Sequence, residues 1–499
     1  MPWLKKYALW LLLIIAVQTV SVGQVIDTTQ KEPSDSIRKT PSPIGPNSFN
    51  IDSLIKTTEY PVLFVRSISV EGNRFTRKSI LLRELPFDEG DSVILANLPE
   101  IFARAKTQIM NTTLFHRADI SVTNVNGASI DLKITIKERW YIIPLPYVKP
   151  VDRSLHEWLF SKGGSLDRLD YGVKLSYDNL TGEADKLRFY LITGYTKQLQ
   201  LSYNRPYIDK NMQWGFNINL AMGKTHEINH LTAGNERKFF NDTSDGGYVR
   251  NFSKSVFEFS YRPAFYTKHY FGFGYHTLKV ADTILRLNPD FLPNGARQVK
   301  YPEIYYKLVY QNLDYIPYPT EGYAGEILIS KQGFNKNFSV LQLTAKGQGN
   351  WHLTPKIFYN ISALGTVKLP LRQPYINSQL LGYGDMTLRG YEKYVIDGVA
   401  GGMLNATLYK QLTNFSFSLP FLRWFTDRLI PLKLYAKVYG NAGYVYSKDP
   451  RENHLSNRTL VGCGFGFDLW TVNDFTFKFE FSFNQLGQSG PQFNKKTLF

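Results

Sequence analysis

The stretch FTFKFEFSFN, residues 475–484, places phenylalanine at every second position and a polar residue after each one. Successive side chains of a β-strand point to opposite faces, so the five phenylalanines would share one face and the polar residues the other. Such a strand fits a half-buried antiparallel sheet, or a membrane barrel with lipid on the apolar side and a wet interior. The remainder of the chain decides between these two environments.

The same alternation recurs throughout the C-terminal two thirds of the chain. It is clearest in WGFNINLAMG (214–223), VFEFSYR (256–262), LKLYAKVYG (432–440) and GCGFGFDLW (462–470). No amphipathic helical stretch between them could cover so many apolar faces, so lipid must cover them. We therefore predict an all-β antiparallel transmembrane barrel over residues 139–499, long enough for about 16 strands. Interfacial aromatic girdles are predicted at Tyr203, Tyr207, Tyr266 and Tyr270.

The start of the chain predicts export. Lys5 and Lys6 precede the apolar run YALWLLLIIAV (7–17), and small residues suitable for cleavage follow at 21–23. The apolar run is too short to cross about 30 Å of hydrocarbon as a helix. We expect residues 1–23 to be a signal peptide, and residues 24–60, rich in Pro, Ser, Thr and charge, to be a disordered linker.

Charge and cysteine content exclude several classes of protein. The formal net charge is +16, but Lys and Arg are spread along the chain without a dense basic block, so we expect no nucleic-acid partner. Anionic lipid head groups are a simpler counterpart for these charges. The single cysteine, Cys463, rules out an intrachain disulfide and a cysteine-based zinc site. We expect no cofactor and no metal.

Residues 61–138 have the pattern of a separate small α+β domain. VLFVRSISV predicts a strand, Thr76 a helix N-cap, and LPEIFARAKTQIMN a second helix with one apolar side. Two alternating strands follow, joined by the turn Asn126-Gly127. The predicted order is β-α-α-β-β.

Three motifs in this domain carry a resemblance to a known module. VEGN (70–73), FDEGD (87–91) and TLFHRADISV (113–122) resemble a POTRA domain, the periplasmic module of BamA-type outer-membrane assembly proteins. The resemblance implies either a domain whose exposed strand edge accepts an unfolded client strand by β-augmentation, or one that only orients the barrel.

A second resemblance lies in LGYGDMTLRGYEKYVIDGVAGG, residues 381–402. Its residues Leu388, Arg389, Gly390 and Tyr391 resemble the [VI]-R-G-[FY] motif that the BamA superfamily carries on a long loop folded back into the barrel. The resemblance implies that the Arg389 guanidinium binds acceptors on the inner wall and that Gly390 permits a tight turn.

The chain departs from the superfamily at the wall position expected to face this arginine. The family motif supplies a carboxylate there, whereas this chain has Asn441, which brings no charge. We therefore expect either weaker pinning of the loop or a replacement carboxylate from Asp468 or Glu480.

The junction of the first and last strands is the predicted working part of the barrel. Pro144 and Pro146 in the first strand cannot donate ladder hydrogen bonds and are typical of an edge. The last strand is short and ends on Phe499. A weakly paired seam of this kind could open sideways and template the strands of a client, or could stay shut as an ordinary junction.

Three functions remain open at this stage, of which we favour the first. The chain could assist insertion of proteins into the outer membrane of a Gram-negative-type bacterium, with unfolded outer-membrane or secreted proteins, outer-membrane lipid and accessory lipoproteins as partners. It could instead be a single-POTRA secretion channel or passive pore. HEINH (226–230) formally matches a zinc metalloprotease motif, but on a strand its two histidines would be about 13 Å apart and could not share one ion. We therefore expect no enzyme.

Overall fold

The computed structural model describes residues 60–150, 165–242, 247–417, 430–471 and 474–494. The predicted signal peptide, the predicted linker up to residue 59, and Phe499 lie outside the described residues. No helix within those five ranges is long and apolar enough to cross a membrane.

Residues 62–138 form an N-terminal domain with its own four-stranded sheet. Its elements are β1 (Val62–Glu71), α1 (Lys78–Leu82), β2 (Ser92–Ile94), α2 (Leu98–Asn111), β3 (Phe115–Asn126) and β4 (Ser129–Glu138). The strand order is β2-β1-β4-β3, in which β1 and β4 are parallel and the outer pairs antiparallel. The predicted order of helices and strands is confirmed, with the three-residue strand β2 added between the two helices.

The core of this domain lies between helix α2 and the sheet. Leu98, Phe102, Ala105 and Ile109 recur at three- and four-residue spacing and are buried against the sheet. The predicted N-cap is wrong, because α1 begins after Arg77, which makes no side-chain cap hydrogen bond. The hydroxyl of Thr76 is engaged by Tyr141 and Asn179 instead, so a tertiary contact replaces the local one.

Beyond Glu138 the chain forms a 16-stranded antiparallel sheet, in agreement with the predicted barrel. Its strands are β5 (Ile142–Pro150), β6 (Leu169–Asp178), β7 (Lys186–Gly194), β8 (Thr196–Arg205), β9 (Trp214–Thr225), β12 (Arg250–Tyr261), β13 (Thr267–Val280), β14 (Gln298–Leu313), β15 (Gly322–Gln332), β16 (Val340–Thr354), β17 (Ile357–Leu369), β20 (Ala400–Phe417), β21 (Ile430–Tyr446), β22 (Leu460–Trp470), β23 (Thr476–Asn484) and β24 (Ser489–Asn494). Each strand pairs with its neighbour in this order, which is the topology of an up-and-down barrel.

The two faces of the sheet differ as the opening stretch predicts. On β23, Phe479 and Phe483 are 51% and 42% exposed, whereas Glu480 and Ser482 are 6% and 2% exposed. Residues paired across strands share a face, so this alternation continues from strand to strand. The exposed face is apolar and suits lipid, and the enclosed face is polar and forms a lumen.

Shorter elements in the connections pack at the end of the barrel away from the N-terminal domain. They are β10 (Glu227–Ala233), β11 (Glu236–Asn241), α3 (Asp282–Leu287), α4 (Tyr375–Ser378), β18 (Gln379–Leu381) and β19 (Ile396–Asp397). Ile228, Ile284, Phe291 and Tyr375 form a shared apolar core among them. These connections therefore have a packed interior of their own.

The predicted aromatic girdle is wrong at three positions. Tyr207 and Tyr266 contact the N-terminal domain, through Glu84 and Gln108 respectively. Tyr270 lies on the luminal face, where the Lys307 ammonium is 4.2 Å from its ring centroid. Alternation within one strand cannot tell a lipid-facing tyrosine from one recruited by another domain.

Candidate functional site: the infolded segment and the N-terminal domain joint

The connection between β17 and β20, residues 370–399, folds into the barrel, and we call it the infolded segment. It was predicted at 381–402, but residues 400–402 belong to the wall strand β20. Leu388 and Tyr391 are 0% and 1% exposed and pack in an apolar cluster with Leu381, Val445 and Leu460. These side chains bind the segment to the wall by apolar burial as well as by polar contacts.

Arg389 lies on the luminal side and contacts three wall residues. Its guanidinium reaches Oε1 of Glu480 at 3.3 Å and donates to Oγ1 of Thr407 at 3.2 Å. Its Cζ atom lies 4.1 Å from the ring centroid of Tyr439, a cation–π distance. Of the three wall residues named from the sequence, Glu480 is the one that pairs with Arg389.

Two wall amides hold the backbone of the same turn. Nδ2 of Asn441 donates to the carbonyl of Arg389 at 2.9 Å, and Nδ2 of Asn484 donates to the carbonyl of Gly390 at 2.7 Å. Gly390 has φ +90°, and a Cβ there would lie 3.1 Å from the carbonyl oxygen of Phe483. Asn441, which stands at the position of the family carboxylate, therefore binds the main chain of the turn, and the carboxylate that the guanidinium reaches is that of Glu480.

Lys437 is a member of this site that sequence reasoning missed. Its ammonium lies 2.6 Å from Oδ1 of Asp468 and 2.6 Å from Oε1 of Glu480, with all three side chains buried. Tyr318 donates to the other carboxylate oxygen of Asp468 at 3.2 Å. Asp468 thus faces Lys437 and not Arg389. The alternation in LKLYAKVYG shows that Lys437 points into the lumen. It does not show which residues Lys437 contacts there.

A second cluster joins the N-terminal domain to the barrel turns on its side, which we call the domain-side turns. Arg262 donates to both carboxylate oxygens of Glu84, at 2.5 and 2.7 Å, and also contacts the hydroxyl of Tyr207. Burial alone would lower the pKa of Arg262, but the carboxylate of Glu84 raises it above its usual value. Burial raises the pKa of Tyr207 to about 12. The cluster is therefore a buried ion pair with a neutral tyrosine.

Three further domain-side turns contact the same domain or its junction with β5. The N–H of Arg77 donates to the carbonyl of Gly182 at 2.9 Å, and Asn111 donates to the carbonyl of Leu313 at 3.0 Å. Arg139, which follows β4, pairs with Asp474 at 2.6 Å. The carbonyl of Met212, in the turn that also carries Tyr207, accepts a bond from Arg83. Since these turns are spread around the sheet, the domain lies across this end of the barrel.

The sheet begins at β5 and ends at β24. Pro144 and Pro146 stand opposite Leu175 and Val173 of β6. Among the described residues no ladder pair joins β5 to β24, which has six residues. The other predicted seam residue, Phe499, lies outside the described residues.

The HEINH stretch lies at the edge of a hairpin. Its residues from Glu227 onward belong to strand β10, paired antiparallel with β11. The His226 ring stacks on Tyr248 at 4.2 Å and contacts the carbonyl of Gly247. Within the described ranges no group of three or more His, Cys, Asp or Glu could hold a metal ion. The helical frame that the motif requires is not formed.

An exposed apolar barrel, a polar lumen with an infolded segment, and a small α+β domain across one end define an outer-membrane β-barrel protein with a POTRA-type domain. Comparison with known families agrees. The Omp85 superfamily domain matches residues 179–403, and POTRA, surface antigen variable number repeat, matches residues 63–139. The chain therefore carries an Omp85 superfamily domain, and its N-terminal domain is a POTRA domain. These two domains imply the outer membrane of a Gram-negative-type bacterium.

Two solved structures are similar to this chain at low sequence identity. BamA from Haemophilus ducreyi lacking POTRA domains 1–3 is 16% identical, with 87% of this chain and 83% of that chain covered and a TM-score of 0.47. CdiB from Escherichia coli is 13% identical, with 86% and 74% covered and a TM-score of 0.50. No curated protein matches the sequence. The similarity between this chain and CdiB concerns the fold alone.

Proposed function

We propose that this protein assists insertion and assembly of proteins in the outer membrane, by β-augmentation and by lateral opening of the barrel between β5 and β24. The observation that carries the proposal is that the wall begins and ends on these two strands and that no ladder pair joins them among the described residues. Unpaired strand edges present N–H and C=O groups that can template another chain.

The composition of the two edge strands supports opening at this place. Pro144 and Pro146 remove two backbone donors from β5, and the described part of β24 has six residues where β20 has 18. Among the described residues, fewer ladder bonds could hold the wall together here than between the long central strands. In this proposal, lateral opening and client insertion need neither a nucleotide nor a covalent step.

In this proposal the POTRA domain lies in the periplasm and receives the client. Its edge strands β2 and β3 offer free edges to an unfolded strand, and accessory lipoproteins could dock on the same domain. The joint between Glu84 and Arg262 keeps the domain next to the barrel mouth. A client bound to the domain is thereby held beside the wall that it enters.

A disulfide across the seam tests lateral opening. In a Cys463→Ser background, paired cysteines are placed one in residues 142–147 and one in residues 489–492, and the pair that crosslinks is assayed for insertion of β-barrel clients into proteoliposomes. We expect oxidation to block insertion and reductant to restore it. The matched control is Ser253→Cys with Thr277→Cys, register partners within the wall, which should crosslink without effect. Full insertion by the seam-locked protein would contradict the proposal.

A secretion channel is the second candidate, favoured by one observation. A polar cavity of about 260 Å³ lies in the lumen beside the infolded segment, lined by Asn405, Lys437 and Glu480 among others. Movement of the segment would enlarge it into a passage. Depletion followed by outer-membrane proteomics separates the two functions: broad loss of β-barrel proteins supports the insertase, and loss of one secreted protein supports the channel.

A further inference from the structure

Six uncharged amide side chains line one part of the lumen, and we call them the amide belt: Gln348, Asn350, Asn360, Asn405, Asn441 and Asn484. The strand register places Gln348, Asn405, Asn441 and Asn484 in one cross-strand row and Asn350 beside Asn360 in the next. Asn350, Asn405, Asn441 and Asn484 are each at least nine-tenths buried. The belt crosses six strands, from β16 to β23.

One half of the belt is occupied by peptide backbone. Asn441 and Asn484 donate to the carbonyls of two successive residues of the infolded segment, Arg389 and Gly390, at 2.9 and 2.7 Å. A side-chain amide has the same donor and acceptor groups as a peptide bond, so it can bind main chain whatever the side chains are. The barrel itself thus shows which ligand these amides accept.

The other half of the belt lines a cavity in the lumen. Gln348, Asn350, Asn360 and Asn405 line the cavity of about 260 Å³. Asn360 donates to Asn350 at 2.9 Å, and neither Gln348 nor Asn405 takes part in that bond. Asn405 is 3% exposed, and its Oδ1 atom has no hydrogen-bond partner. Buried amide oxygens usually accept a hydrogen bond, so this atom is an acceptor that a donor in the cavity could use.

We propose that the amide belt is a binding track for the main chain of an extended polypeptide, and that the free half at Asn405 binds the backbone of a client entering the lumen. The inference rests on the proposed function in so far as the client is a protein. It adds that the luminal wall binds the client through its peptide groups, independently of sequence. Sugar hydroxyls could also bind amides, but the occupied half of the belt binds peptide carbonyls.

Site-directed trapping tests the track in the full-length protein with Cys463→Ser as background. The probe is an uncharged Gly-Ser peptide of about 30 residues with one activated cysteine, long enough as an extended chain to cross the barrel. Ser362→Cys places a thiol in the cavity, and Ser330→Cys places one on the luminal face outside it; both serines are 3% exposed. We expect about fivefold more mixed disulfide at position 362 than at position 330.

Asn405→Leu, added to Ser362→Cys, removes the amide but keeps the branched shape of the side chain, and should lower trapping about fivefold, the scale of one buried hydrogen bond. If the leucine variant does not fold, Asn405→Ser replaces it in the same assay. Equal trapping at positions 362 and 330, no effect of either Asn405 variant, or equal capture of a thiol-bearing maltodextrin of similar length would overturn the proposal. The seam-disulfide assay is independent of this readout, so failure of the insertase and failure of the track are distinguishable.

Discussion

The ammonium nitrogen of Lys437 lies 2.6 Å from Oε1 of Glu480, the same carboxylate oxygen that the guanidinium of Arg389 reaches at 3.3 Å. Lys437 also pairs with Asp468, so two cations and two carboxylates balance one another inside the lumen. One of these four charges belongs to the infolded segment and three belong to the wall. The wall charges are therefore arranged to receive the segment.

Lys437→Met should strongly destabilise the barrel. The change leaves Asp468 and Glu480 buried without their shared cation, which costs about 3–5 kcal/mol when one partner of a buried pair is removed. Guanidinium unfolding in detergent measures the loss. Lys433→Met on the same strand is the control, because its ammonium makes a cation–π contact with Trp470 worth about 1 kcal/mol. Similar losses in the two variants would show that the paired carboxylates do not depend on Lys437.

Arg389→Lys should loosen the infolded segment without unfolding the wall. A lysine cannot bind Glu480 and Thr407 together while stacking on Tyr439, whereas Lys437 still neutralises Glu480. Loss of one hydrogen bond to a charged group, about 1.5–3 kcal/mol, predicts an increase of roughly tenfold or more in the open fraction of the pore. Planar-bilayer recordings measure it.

The control for this experiment is Lys393→Ala, an exposed cation of the same segment. It removes a positive charge without touching the wall contacts of Arg389. If both variants conduct like the parent protein, the guanidinium contacts do not hold the segment in place.

Gly182→Ala should weaken the joint between the POTRA domain and the barrel. Gly182 has φ +82°, and a Cβ there would lie 2.5 Å from the carbonyl oxygen of Phe75 in the POTRA domain. Gly127→Ala is the matched control, because Gly127 has φ +58° with nothing within 4 Å of the added atom. Both variants carry backbone strain of about 1–3 kcal/mol, but only the first also clashes with the domain.

Hydrogen exchange of residues 74–85 provides the readout for this pair. We expect exchange to become about tenfold faster or more in Gly182→Ala and to stay near the parent rate in Gly127→Ala, because only the first change opens the joint. Equal acceleration in both would assign the effect to strain within the turns.

Asp397 should make the packing of the infolded segment depend on pH. Burial raises the pKa of Asp397 to about 6, although hydrogen bonds from Thr232 and Tyr383 oppose the shift. The native chain thus keeps this proton to higher pH than the unfolded chain, whose carboxyl titrates near 3.8. The stabilisation of the native chain by the protonated Asp397 carboxyl is complete below about pH 4 and is lost as the pH rises to about 6.

Asp397→Asn removes this titration. We expect the variant to gain about 1–3 kcal/mol over the parent protein at pH 7.5 and little at pH 4. Thermal unfolding followed by near-ultraviolet circular dichroism at both pH values measures the difference. A constant offset between the two proteins would show that the carboxyl does not titrate in this range.

The sequence by itself determined the layout of the molecule. Alternation with a period of two is a local property of an extended chain, so residues 475–484 fixed which side of the wall meets lipid before any partner strand was known. The helix and strand patterns of residues 61–138 likewise gave the order of the POTRA domain. Arg389 was found through a motif, which names a residue but not its contacts.

Tertiary structure alone decided which distant groups meet. Arg139 and Asp474 lie 335 positions apart in the sequence. The contact between Arg389 and Glu480 depends on the register of strands β20 to β23. A pattern shows that Lys437 points inward, but which carboxylates face it depends on the stagger of strands and on the path of the infolded segment. Contacts of this kind are absent from local sequence because strand pairing, and not chain proximity, brings the charges together.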